Sequence, residues 1–297
     1  MGLWRARTAL MFVAMTGILV ALGSVIGYIF NYTWYGFWIM LVISLVVCFA
    51  SYFFSKGMAL SANNAHIITR DEEPRLYDTV QKLALKAGLP MPEVGISEVN
   101  MPNAFATGRN PKNAAVVATR PLLNMLSDDE LEGVLAHELS HVKNRDILVM
   151  SVASALASIV SFVARMAVWS AIFSGDNRGN PLALVIALLA ELTLPFAALL
   201  VQLGISRNRE YLADESGARL TGKPMALAHA LVVIETGCSS RSNQYKNTTY
   251  ESVWISNPFG KKNVGIAALF RTHPTTEDRI EKLKILDEEI NGVRHYY

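Results

Sequence analysis

The sequence predicts a mostly α-helical membrane protein, with four transmembrane helices in two hairpins and a cytoplasmic α+β domain holding a small sheet. Three observations predict it. The 297 residues are 52% hydrophobic and 18% charged, with a mean hydropathy of +0.28, whereas a soluble domain carries about 25% charge. Four apolar segments reach the roughly 20 residues of helix that cross a bilayer core. Lysine and arginine gather at one end of each segment, which sets orientation.

The first two segments are Leu10 to Phe30 and Trp34 to Phe54, and the "NYT" between them leaves room only for a tight hairpin. A signal peptide would be shorter and end at a small-residue cleavage site. This segment runs into a second span and reads as a retained anchor. Ile147 to Phe173 and Leu182 to Ile205 form the other pair, joined by "SGDNRGNP". Arg5, Arg7, Lys56, Lys143, Arg145, Arg207 and Arg209 lie on one side and only Arg178 on the other. The basic side is expected to be cytoplasmic, with both termini and the soluble parts. The chain then divides into a first hairpin (1–57), a cytoplasmic part (58–146), a second hairpin (147–205) and a second cytoplasmic part (206–297).

Trp34, Tyr35 and Trp38 fit an interfacial belt, and Gly23 with Gly27 forms one GxxxG pair. Arg165 and Glu191 interrupt the second hairpin, each about 12–14 Å from the outer end of its helix. Two arrangements are open: an ion pair between antiparallel neighbours, or Arg165 snorkelling outward while Glu191 faces a watery cleft.

In the soluble parts, Asp71 to Ala87 reads as an amphipathic helix with Pro74 in its first turn and Gly88 as its stop. "EVGISEV", "NAFATG" and "AAVVAT" read as strands. Ser127 and Glu130 make a capping box for a helix that carries through His141. Further helices are expected over Arg209 to Leu220 and from Thr275 onward, and a polar loop over 239–263. The two cysteines, Cys48 and Cys238, have no CxxC spacing, which excludes a cysteine zinc ribbon. A net charge of +2 without an aromatic-laced basic cluster excludes a nucleic-acid partner.

The segment "GVLAHELSHVKNRD" carries the chemistry. His137 and His141, four apart on a helix, put two imidazoles on one face where they can converge on a tetrahedral zinc. Glu138 then stands beside the metal, positioned as a base toward water. A catalytic zinc takes three protein ligands. Glu210, Asp214, His229 and His273 are open as the third, though His229 in "MALAHALVV" also suits a core position.

HExxH followed by ExxxD on a later helix resembles the thermolysin-like (gluzincin) pattern. Four spans with "NAFATG", "AHELSHVKNRD", "SRNREYLAD" and "THPTTEDRI", in that order over nearly the whole chain, are similar to the HtpX heat-shock branch of integral-membrane zinc proteases. The prenyl-processing branch shares the motifs but has more spans. The resemblance implies a gluzincin-like protease domain with one Zn²⁺ per chain on His137, His141 and Glu210, with Glu138 as general base and acid. It implies that Asp214 steadies a ligand histidine and that His273 and Arg279 support the reaction. For Arg279, donation to an oxyanion and pairing with Asp214 are both open. Unfolded or misfolded membrane proteins are the implied substrates, and the cell membrane, with the site toward the cytoplasm, the implied location. "NAFATG" has two roles open, an edge strand that receives extended substrate or a buried strand packed on the HExxH helix. A non-catalytic membrane metal-binding protein or a degenerate scaffold is the competing class.

Overall fold

The computed structural model describes residues 32–148, 207–241 and 274–292, with positions 12–13, 16–17, 19–21 and 24 of the first apolar segment. It divides into two compact units, Met1–Ser55 and Lys56–Tyr297. The second apolar hairpin with Arg165 and Glu191, the Gly23/Gly27 pair, His273 and all but the start of the 239–263 loop lie outside the described residues.

Helix α1 (Thr33–Ala62), most of which lies in the first unit, has 30 residues, or about 45 Å. It is long and apolar enough to cross a membrane, and it continues past Phe54, where the apolar run stops. Its sidedness is inverted relative to a soluble helix. Ser44, Ser51 and Ser55 are buried, while Val42, Leu45, Val46 and Phe49 are exposed. Cys48 falls on the serine stripe, and its Sγ lies 3.7 Å from Thr16 Oγ1 of the preceding segment. Small residues toward a neighbouring helix and large apolar ones outward is the pattern of helix packing in lipid.

The second unit builds a four-stranded sheet from β1 (Ala65–Ile67), β2 (Glu93–Ser97), β3 (Ala104–Gly108) and β4 (Ala114–Thr119). The spatial order is β1-β2-β4-β3. Strand β4 runs parallel to β2 with Gly95 opposite Val117, and antiparallel to β3 with Ala106 opposite Val116. "NAFATG" is therefore an outer strand, although it lies between the other two in sequence. It is also buried along its whole length and packs on the HExxH helix. The packing role expected of it is met, and it stands at the edge of the sheet. Strand β1 was not legible, because three residues with mixed exposure carry no alternation to read.

Helix α2 (Pro74–Ala87) begins at Pro74 and ends at Gly88, whose left-handed φ of 68° closes the last turn. A short helix, α3 (Arg120–Met125), precedes α4 (Asp128–Asn144), which carries HExxH. The expected capping box forms, with Ser127 and Glu130 each bonding the other's backbone N–H. Arg75 fixes the entry angle of α4. Its guanidinium donates to Leu123 O and Leu126 O, both at 2.7 Å, and reaches Asp128 at 2.6 Å.

Helix α4 is enclosed on every side, each residue from Leu131 to Val142 being buried. An all-round buried helix belongs at the centre of a fold, and α2, β3, α5 (Arg207–Thr221) and α6 (Pro224–Arg241) surround it. Two glycines allow the closest approaches. A Cβ on Gly133 would lie 3.1 Å from the Leu227 backbone, and one on Gly217 would lie 2.8 Å from His137 N. The α5 backbone is thereby pressed against the turn of α4 that bears the first histidine. Helix α7 (Thr276–Asn291), capped by Thr275, packs on α5 and α6.

Candidate metal centre

Helix α4 presents His137 and His141 on one face, one turn apart, and α5 lays Glu210 across them. All three side chains are buried. His137 Nε2 lies 3.2 Å from His141 Nε2 and 3.7 Å from Glu210 Oε2, and His141 Nε2 lies 3.5 Å from Glu210 Oε1. A tetrahedral zinc with bonds of about 2.0–2.1 Å spaces its ligand atoms about 3.3–3.4 Å apart. The triangle of donors fits that ion in size and in chemistry, two imidazoles and a carboxylate. It is the one such cluster among the described residues.

Asp214, one turn beyond Glu210, accepts at Oδ1 from His137 Nδ1 across 2.8 Å. The proton of that imidazole therefore sits on Nδ1, and Nε2 keeps its lone pair toward the other ligands. Arg279 of α7 grips the same carboxylate with two bonds, Nε to Oδ2 at 2.8 Å and Nη2 to Oδ1 at 2.6 Å. Its Nη1 faces Glu210 Oε2 at 3.9 Å. Burial alone would raise the Asp214 carboxyl, but Arg279 and His137 hold it below the usual range. Burial lowers His137, with Arg279 and His141 adding to the effect against Asp214.

Glu138 is buried beside this triangle. Burial pushes its carboxyl up to about 8 and Glu210 adds to that, against His141 and the N–H that Ala106 donates to it. That N–H belongs to the middle of β3 and ties the outer strand to the base. For His141, burial opposes charge, but Asp146, Glu210 and Glu138 outweigh it and raise the imidazole to about 9. These directions describe the metal-free protein, since a bound cation inverts them.

A pH dependence follows. Between pH 6.5 and 8 the metal-free fold holds protons on Glu138 and His141 that the unfolded chain releases near 4.5 and 6.5. Stability falls as pH rises wherever the native state binds more protons. We expect the melting temperature of metal-free protein to drop from pH 6.5 to 9, while metal-loaded protein, which has given up those protons, changes less. Melting curves with and without chelator measure it. Parallel curves would contradict it.

The structure thus brings together His137, His141, Glu138, Glu210, Asp214 and Arg279. His229 is exposed on α6, away from the cluster. It fills neither role the sequence left open to it, because α6 turns that position to solvent. One participant went unseen: Asp146, after the end of α4, faces His141. Arg209 had two readings open in the sequence, tuning the adjacent Glu210 carboxylate or simply adding to the basic side, and in the structure it faces Asp146. Residues 70–287 match the family described as Peptidase family M48. The chain is 44% identical over 294 residues to "Protease HtpX homolog" of Thermococcus sibiricus, covering 98% of each. It is 46% identical over 286 residues to the protein of that name from Thermococcus kodakarensis, covering 96% of each. It also aligns with "Crystal Structure of S. mikatae Ste24p" over 94% of this chain and 64% of that one. The TM-score there is 0.48 with 20% identity, too slight a likeness to argue from. The full-length relatives and the family match agree: the chain belongs to peptidase family M48, and it is a metallopeptidase.

Proposed function

We propose that the protein is a membrane-anchored, zinc-dependent endopeptidase that cleaves misfolded or damaged membrane proteins on the cytoplasmic side, as part of quality control under stress. The observation that carries this is the buried His137–His141–Glu210 triangle with Glu138 beside it and β3 at its edge. Zinc in that position supplies Lewis acidity toward a carbonyl and acidifies water. Glu138 takes the proton and returns it to the leaving amine. Arg279 and Asp214 keep His137 aimed, and His273 is proposed as a hydrogen-bond donor to the developing oxyanion.

Substrate breadth follows from β3. Its Ala106 N–H bonds Glu138, which sets this outer strand beside the proposed reacting centre. A peptide laid along it would be held by backbone hydrogen bonds, with little demand on side chains. That suits unfolded chains of many sequences. The apolar segments support a site near such chains, and the lysine and arginine distribution supports the cytoplasmic side.

Detergent-purified protein with zinc is expected to digest casein and a denatured membrane protein while sparing the folded form of the latter. Chelation should stop the reaction and zinc restore it. Folded, zinc-loaded protein that cleaves neither substrate would move the reading to a metal-binding protein without hydrolytic function.

A further inference from the structure

We propose that Asp146 and Arg209 form a second orienting pair at the metal centre, holding His141 as Asp214 and Arg279 hold His137; this rests on the zinc site proposed above. His141 Nδ1 is buried, and among the described residues it makes no hydrogen bond of good geometry. The group it faces is Asp146 Oδ2, at 3.5 Å. Asp146 Oδ1 in turn lies 3.3 Å from Arg209 Nη1, both side chains being 14% exposed. A buried ring N–H requires an acceptor, and a ligand histidine whose Nε2 faces the metal presents Nδ1–H to whatever stands behind it.

The backbone explains how Asp146 gets there. Arg145, which caps α4 after Asn144, adopts a left-handed φ of 61°, a conformation that strains a residue with a Cβ. Past that turn the Asp146 side chain faces His141, five positions earlier. Arg209 sits one residue before Glu210, so one turn of α5 supplies both a metal ligand and the anchor for the other histidine's partner. The two relays differ in tightness. Arg279–Asp214–His137 is closed by contacts of 2.6–2.8 Å, whereas Arg209–Asp146–His141 stands at 3.3 and 3.5 Å.

Asp146 and Arg209 are positioning residues, and the test reads metal binding as well as cleavage. Zinc affinity is measured by chelator competition on the full chain in detergent, and the ligand field by the visible spectrum of the cobalt(II)-substituted protein. Asp146→Leu is expected to weaken zinc by about 10- to 100-fold and to alter the cobalt bands. Asp146→Asn, which keeps an oxygen toward Nδ1–H, should recover most of both. Arg209→Gln should weaken zinc several-fold in the native background and have no further effect on Asp146→Leu, because it acts through that carboxylate. If Asp146→Leu and Asp146→Asn both bind zinc and cobalt as the wild type does, the pairing is overturned while the site stands. Equal losses in the two variants with unchanged cobalt bands would mean a merely structural role, and would overturn it too. Wild-type protein that takes up no zinc would overturn the site, and the pairing with it. If Asp146→Leu fails to fold, Asp146→Asn and Arg209→Gln decide it: native affinity and spectrum in Asp146→Asn with weaker zinc in Arg209→Gln support the pairing, and any other combination overturns it.

Discussion

Glu138→Gln is expected to reduce peptide hydrolysis by about 10²- to 10⁴-fold, the range that general acid–base catalysis supplies, with zinc content unchanged. Glutamine keeps the side chain's volume and an oxygen for the Ala106 N–H, and removes only the ability to take and return a proton. The three donor atoms of the metal triangle are untouched. Because burial already pushes the Glu138 carboxyl up to about 8, replacing it with a neutral amide should leave the melting temperature of the metal-free protein unchanged or higher. Loss of activity with retained metal and retained fold separates chemistry from structure. Turnover within ten-fold of the wild type would remove Glu138 from the reaction and require another base.

Arg279→Met is expected to destabilise the domain by about 3–5 kcal/mol, since removing one member of a buried ion pair leaves the other charged and uncompensated. Asp214 is 3% exposed and loses both bonds from the guanidinium. Zinc affinity should fall as well, because His137 depends on that carboxylate for its orientation. Arg279→Met combined with Asp214→Leu removes the stranded charge. It should recover part of the melting temperature but none of the zinc affinity. That split is informative: recovery of both would mean that the pair serves packing alone. Thermal melts and chelator competition on the single and double variants measure it.

Much of this site was legible because helical spacing converts sequence distance into spatial distance. His137 and His141, and Glu210 and Asp214, are each one turn apart, and both pairs fall on faces the sequence could assign. The capping box at Ser127 fixed where the first helix starts, and the structure starts it there. What the spacing could not supply was the relation between elements. The order that puts β4 between β2 and β3 is a matter of long-range pairing. Gly217 reads as one more small residue until its Cβ position is seen to fall 2.8 Å from His137 N. Asp146 was hidden by Arg145, because no local signal marks a left-handed arginine, and without that turn an aspartate five residues past a histidine points elsewhere. Arg279 had two roles open, and only the packing of α7 on α5 sets its guanidinium on Asp214. For the four spans, α1 is the one described in full, and it has the length and apolarity expected of the second.

The interruption between α4, which ends at Asn144, and α5, which starts at Arg207, has a consequence for biosynthesis. His137, His141 and Glu138 leave the ribosome first, followed by the 147–205 apolar pair, and only then does Glu210 appear. Until that moment only two of the three donors of the triangle exist, and the orienting carboxylate of Asp214 and its arginine, later still, are absent. A nascent chain is itself an extended, unfolded polypeptide, the kind of substrate proposed here. Placing the last ligand after the apolar pair delays assembly of the reactive centre until the preceding segment has been made. The order of the donors along the chain thus means that the triangle is complete only after residues 147–205 have been synthesised.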